Sequence, residues 1–113
     1  MKKSEIKFNI LLDKDKIPEK ITWNIFEDLN NDNKMNETKS ISISIWDNSN
    51  KNTLRVDLWT KNMIVNDMKK FYIDILGGLS QSILNSTGDN YMSNEIKLLC
   101  KKLVKYIKLK GVN

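Results

Sequence analysis

The chain has no histidine, one cysteine and one proline. Without histidine there is no general base of near-neutral pKa and no imidazole metal ligand, and neither a Ser–His nor a Cys–His nucleophile pair can be assembled within the chain. A lone Cys100 excludes an internal disulfide. Long apolar runs are also missing: no stretch approaches the ~20 residues that span a bilayer. The opening MKKSEIKFNILLDKDK carries two lysines, but Glu5, Lys7, Asn9 and Asp13 interrupt the apolar core that an export signal needs. It reads as part of the mature protein, and a cytoplasmic location is expected.

Arginine is nearly absent. Arg55 stands alone among 19 basic residues, in a chain of net charge +5. Lys, Asn and Ile share A/T-rich codons, so base composition accounts for much of the lysine excess, and the lysines are interspersed with Asp and Glu. A nucleic-acid partner is therefore not expected. The Asn-rich segment DLNNDNKMNET, Asp28 to Thr38, has a faint calcium-loop spacing, but lacks that loop's glycine and closing Glu. It reads as a polar loop, with neither metal nor cofactor expected.

What is present is periodicity. Ile6, Phe8, Ile10 and Leu12 alternate with polar residues, as do Ile21, Trp23 and Ile25; Ile41, Ile43 and Ile45 alternate strictly with serines, and Leu54, Val56 and Leu58 with Arg55, Asp57 and Trp59. Period two marks four half-buried strands, the last two joined as a hairpin by the polar segment Asp47 to Asn52. From Asn66 to Ser86 the period changes: Met68, Tyr72, Ile75, Leu76, Leu79 and Ile83 fall at helical spacing. Asn66 is the expected N-cap and Asp67 suits the first turn. Gly77 and Gly78 in mid-helix suggest a kink or a close helix contact. Gly88 breaks the pattern, and a second helix follows with Ser93 as expected cap, Glu95 in its first turn, and Ile96, Leu99, Cys100, Leu103 and Ile107 as its apolar stripe. Cys100 on that stripe reads as a packed, inert thiol. The opposite line of Lys97, Lys101, Lys105 and Lys108 reads as a solvated face, because no Trp or Phe accompanies it to enter a membrane. The sum is a single α+β domain over residues 1–113: a four-stranded antiparallel sheet followed by two C-terminal helices (ββββαα) available to cover one sheet face.

The outer face of the hairpin holds the candidate binding residues. If Leu54, Val56 and Leu58 point to the core, then Arg55, Asp57 and Trp59 point away from it, together with Ser42, Ser44 and Trp46. Two readings stand. In one, Arg55 and Asp57 pair along the face and the indoles cover a sheet edge. In the other the face recognises a partner, since Trp and Arg dominate binding hot spots and exposed aromatic patches mark interfaces. Asp57 has no second titrating group suitably spaced for general acid–base work, so an enzyme is not expected. Asp47 lies at the end of the loop and suits a turn cap.

The stretch SIWDNSNKNTLRVDLWTKNMIVNDMKKFY resembles the central block of the gliding motility-associated protein GldC family. Its pattern is matched by the core Leu54, Arg55, Val56, Asp57, Leu58, Trp59, Thr60 and Lys61, with Trp46 and Asp47 before it and Met63, Val65, Met68 and Phe71 after it. EIKFNILLDKDKIPEKITWNI also resembles the family's opening, including Asp13, Pro18, Ile21 and Trp23. The chain departs from the family where Ile64 replaces a usual proline and where Gly77 and Gly78 occur. The resemblance implies a non-catalytic accessory of the gliding apparatus of Bacteroidota-type bacteria and its associated secretion system, with Trp46, Asp47, Arg55, Asp57, Trp59 and Lys61 as the binding set. The strand-to-helix order is also similar to that of the export chaperone SecB. That analogy implies a SecB-like topology, a homo-oligomer, and a holdase for unfolded clients as the alternative role.

Overall fold

Alternation of apolar and polar residues does build strands here, but not one sheet. The computed structural model describes residues 2–27 and 35–110, and the chain divides into two compact units, Met1–Met63 and Ile64–Asn113.

The first unit holds five strands: β1 (Ser4–Leu12), β2 (Pro18–Glu27), β3 (Asn36–Thr38), β4 (Ser40–Asp47) and β5 (Asn52–Trp59). They form an antiparallel three-stranded sheet, β1-β2-β3, and a separate antiparallel pair, β4-β5. This corrects the expected single four-stranded sheet of SecB-like topology. The physical reason is a partner switch just before the third expected strand. The preceding residues Asn36–Thr38 pair with β2, Thr38 opposite Ile21. After a bend at Lys39 the next residue, Ser40, faces Trp59 instead. Strands that change sheets at a bend are a standard way of turning a corner in β structures. Backbone and side-chain bonds hold the corner: the Thr60 amide donates to the Lys39 carbonyl at 2.8 Å, and the Thr38 hydroxyl to the Ser40 carbonyl at 3.2 Å. β3 itself lies in the segment read as a loop; the rest of that loop, residues 28–34, lies outside the described residues.

Within each pair the alternation holds. Ile6 faces Ile25, Phe8 faces Trp23 and Ile10 faces Ile21, so one side of β1-β2 is apolar. Ile41, Ile43 and Ile45 face Leu58, Val56 and Leu54. Among the described residues only Ile21 and Ile41 are buried hydrophobics.

The β1–β2 turn is organised by Asp13, whose Oδ1 accepts from the amides of Asp15 at 2.8 Å and Ile17 at 3.0 Å. This lets Lys16 adopt φ 63° without glycine.

The second unit is an antiparallel pair of helices, α1 (Val65–Thr87) and α2 (Asn90–Leu109). α1 begins one residue earlier than expected; its N-cap is Ile64, without a side-chain cap bond, so Asn66 is not the cap. Asp67 does occupy the first turn. The helix runs unbroken through Gly77 and Gly78, and a Cβ placed on either would meet nothing within 4 Å, so the glycines do not mark a close contact. α1 ends at Gly88, whose φ of 73° is the left-handed C-terminal conformation that glycine tolerates best. Asp89 then caps α2, accepting from the Met92 amide at 2.9 Å. Ser93, expected in that role, is buried inside α2, and Glu95 falls beyond the first turn.

Burial explains the displaced serine. The Ser80 hydroxyl donates to the Ser93 carbonyl at 2.8 Å, the Ser93 hydroxyl donates to the Ser80 carbonyl at 2.9 Å, and the two hydroxyl oxygens lie 2.9 Å apart. Two small polar residues allow close helix approach near the turn while leaving no hydroxyl unpaired. Further along, half-buried Cys100 directs its sulfur to the Ile73 carbonyl at 3.9 Å.

Candidate binding face of the β4–β5 hairpin

Alternate residues of β4 and β5 fix the face, because each strand presents every second side chain to the same side. Along it the pairs run Trp46 with Thr53, Ser44 with Arg55, Ser42 with Asp57 and Ser40 with Trp59. The centre is a closed polar network. The Arg55 guanidinium donates from Nη1 to Ser44 Oγ at 2.5 Å, from Nη2 to Ser42 Oγ at 2.8 Å and to Asp57 Oδ1 at 2.9 Å, and from Nε to Asp57 Oδ2 at 3.3 Å. Ser42 Oγ donates in turn to Asp57 Oδ1 at 2.5 Å.

The consequence is chemical. A guanidinium has five N–H donors, and four of those of Arg55 are taken within the face. Asp57 is likewise satisfied, and its carboxyl titrates below its usual range, first because of the Ser42 hydroxyl and then because of Arg55. A lowered pKa makes a weak base, the wrong direction for proton abstraction near neutrality. Charge at the centre is thus internally balanced and rigidly aimed. It is not free to capture a phosphate or a substrate carboxylate.

The indoles lie at the two ends. Six residues of strand separate the position of Trp46 from that opposite Trp59, so their backbones are about 20 Å apart. Trp46 is 58% exposed and Trp59 47% exposed. Trp46 donates from Nε1 to Asn48 Oδ1 at 3.3 Å. Trp59 borders a shallow groove of about 180 Å³ that it shares with Ile17, Pro18, Asp57 and Leu58. That volume is below the ~300–1,000 Å³ of small-molecule sites and suits a single side chain.

Two other members of the expected set are occupied elsewhere. Asp47 closes its own turn, Oδ1 accepting from the amides of Ser49 at 3.1 Å and Asn50 at 3.4 Å, as its place in the loop suggests. Lys51 completes that turn with φ 56°. Lys61 reaches Asp13 Oδ2 at 3.0 Å, tying the end of β5 to the β1–β2 turn. The structure therefore brings Trp46, Arg55, Asp57 and Trp59 onto one face and gives Asp47 and Lys61 to its borders. Sequence reasoning missed Ile17 and Pro18 as neighbours of Trp59. The signal available was the turn itself: an aspartate four residues before Ile17 that folds the turn back, and a distant lysine to hold it.

Residues 18–109 match the profile of a family described as gliding motility-associated protein GldC-like. That is most of the chain, and it includes the whole hairpin. The chain belongs to the GldC-like family. No curated protein and no solved structure matches it. Membership associates the chain with gliding motility. Among the described residues no GldC-like helix is long and apolar enough to cross a membrane, and no group of three or more Cys, Asp or Glu is placed to hold a metal ion.

Proposed function

We propose that this GldC-like chain is a non-catalytic accessory or adaptor of the gliding motility and associated secretion machinery. In this reading it works in the cytoplasm and binds a protein partner through the outer face of the β4–β5 hairpin. The supporting observation is the pair of half-exposed indoles at either end of a neutralised Arg55–Asp57 centre. Large aromatic area beside a preorganised, internally paired polar strip is the composition of a binding hot spot. The indoles supply the contact area, and the Ser42–Asp57–Arg55–Ser44 network keeps the strand surface flat and ordered between them. The Trp59 groove admits one partner side chain.

The experiment is a pull-down of co-expressed gliding and secretion components with wild type, Trp46→Ala, Trp59→Ala and Arg55→Ala. Either Trp variant is expected to weaken capture at least tenfold, in line with hot-spot truncations of ~2 kcal/mol or more. Unchanged capture by both would refute this use of the face.

A second reading rests on a different observation. Ile6 and Ile25 on the apolar side of β1-β2, and Ile45, Leu54 and Val56 on the side of β4-β5 opposite Arg55, remain exposed, apolar surface of the kind that holds unfolded segments. Under it the chain is a SecB-like holdase, self-associated through its helices. Suppression of aggregation of an unfolded client at stoichiometric ratio, by a particle that light scattering shows to be oligomeric, is the expected result. A monomer without holdase activity rejects it.

A further inference from the structure

The three most exposed large apolar side chains of α2 lie in line. Tyr91 is 75% exposed, Leu98 58% and Leu109 79%. They are separated by seven and then eleven residues, close to two and three whole turns of helix, so they share one side. It is not the side that packs on α1: Cys100, which points its sulfur to Ile73, and Leu103 and Ile107 are half-buried and sit on a different arc.

Lysine flanks this line, chiefly on one side. Lys97, Lys101, Lys102, Lys105 and Lys108 lie within α2 and Lys110 is its C-cap, whereas Glu95 is the only acidic residue from Asn90 to Leu109. All six lysines are exposed. Lysines in the last turn complement the helix dipole, but that effect fades beyond one turn, and Lys97 and Lys101 are two or more turns from Leu109. Like charge at i and i+4, as at Lys97–Lys101–Lys105, weakens an isolated helix. The arrangement costs stability unless an anionic surface meets it.

We propose that α2 docks on an anionic membrane surface, lying in the headgroup layer with Tyr91, Leu98 and Leu109 directed into it. The partner's chemistry follows from the combination. Lysines near a negatively charged leaflet each strengthen binding, and apolar side chains between them gain by entering the acyl boundary. A nucleic acid would match the charge but would leave Leu98 and Leu109 without a role, and α2 has no arginine for groove recognition. Sequence alone argued the other way because neither Trp nor Phe lies in this helix. The structure supplies the missing wedge as one tyrosine and two leucines.

The test is co-sedimentation of the full chain with phosphatidylcholine vesicles and with vesicles containing about one-third phosphatidylserine. Binding to the second and not the first, at ~0.1 M salt and weakening as salt rises, is the expected result. Lys101→Glu with Lys105→Glu is expected to lower affinity roughly tenfold or more. Leu98→Ser with Leu109→Ser is expected to lower it several-fold with the salt dependence kept. Circular dichroism verifies that both variants keep their helices. Absence of binding to the anionic vesicles overturns the proposal. So does unchanged vesicle binding by the leucine variant, with equal binding to poly-glutamate or duplex DNA, because the surface would then be a polyanion site only.

Discussion

Arg55 and Asp57 stand two residues apart on β5 with both carboxylate oxygens taken by one guanidinium, Oδ1 by Nη2 at 2.9 Å and Oδ2 by Nε at 3.3 Å. Ser42 on the facing strand bonds the same carboxylate, and its hydrogen bond is the first cause of the lowered pKa, followed by the hydrogen bond and the charge of Arg55. Ser42→Ala is therefore expected to raise the Asp57 pKa toward the ordinary carboxylate value, and so is Arg55→Gln, which removes both a hydrogen bond and a charge. Carbon-detected NMR titration of the side-chain carboxyl measures both. A depressed folded-state pKa adds stability above the unfolded value, near ~3.9, and that contribution disappears as pH falls through the folded value. The Ser42→Ala chain should accordingly show a shallower loss of stability on acidification than wild type. An identical titration in the two chains would mean that the network does not hold Asp57 as described.

Asp13 and Lys61 join segments 48 residues apart. The Asp13 carboxyl titrates below its usual range, first through the Ile17 amide and then through Lys61, while the Lys61 ammonium titrates above its usual range because of Asp13. The signs differ. The Asp13 contribution is present above the unfolded carboxylate pKa and fades as pH falls through the lowered value. The Lys61 contribution is complete below the unfolded lysine pKa and fades as pH rises through the raised one. Lys61→Gln is expected to remove the alkaline loss and keep most of the acid one, since the Ile17 amide still holds Asp13. Urea midpoints at neutral and alkaline pH check it. Because the pair is solvent-accessible, the change at neutral pH should be small. The same substitution loosens the turn carrying Ile17 and Pro18, so any partner using the Trp59 groove should dissociate faster.

Ser80 and Ser93 are both fully buried and bonded to each other's carbonyls. Replacing either by Ala removes one reciprocal bond and leaves the remaining hydroxyl a carbonyl acceptor, so each single change is expected to cost about 1 kcal/mol. The double change should cost less than the sum, because the two share a contact. Ser80→Leu places extra carbons where the two buried serines meet and should cost ~1–3 kcal/mol or more. Denaturant unfolding of the four chains distinguishes this from a surface role, for which all would lie within about 0.5 kcal/mol of wild type.

Much of the fold was readable because its signals are local. Ile/Ser alternation set the faces of β4, and Leu54, Val56 and Leu58 set those of β5, so the joint placement of Ser42, Ser44, Arg55 and Asp57 followed before any coordinates. What escaped is non-local or ambiguous in kind. The bend at Lys39 parts β3, on β2, from β4, on β5, and the alternation that begins at Ser40 carries no sign of it. Asn36 to Thr38 is too short and polar to announce a strand. Ser93 and Asp89 are both good caps by type; Ser80, thirteen residues upstream, draws Ser93 into the interface and leaves the cap to Asp89. Asp13 serves Ile17 and Lys61 at once, and only the second of those partners is distant in sequence. The family match, over residues 18–109, spans the hairpin residues whose spacing sequence alone could quote.

Gly77 and Gly78 give the clearest case of a local rule left unused by the fold. Both lie inside continuous helix and both are exposed, with no atom within 4 Å of a built Cβ. Glycine in a helix interior is about 1 kcal/mol less favourable than alanine, partly because it frees the unfolded chain. Gly77→Ala and Gly78→Ala should each raise the unfolding free energy by roughly 0.5–1 kcal/mol, and together by about twice that, since neither side chain meets a shared partner. Thermal and urea unfolding followed by circular dichroism at helix wavelengths would register the gain. A loss on either substitution would mean that this stretch of α1 approaches another surface closely in solution, because only a close approach makes an added methyl group unfavourable there. If the double variant is more stable but weaker in partner capture, the glycines serve flexibility at that point of α1, and stability and binding would be opposed at the same two residues.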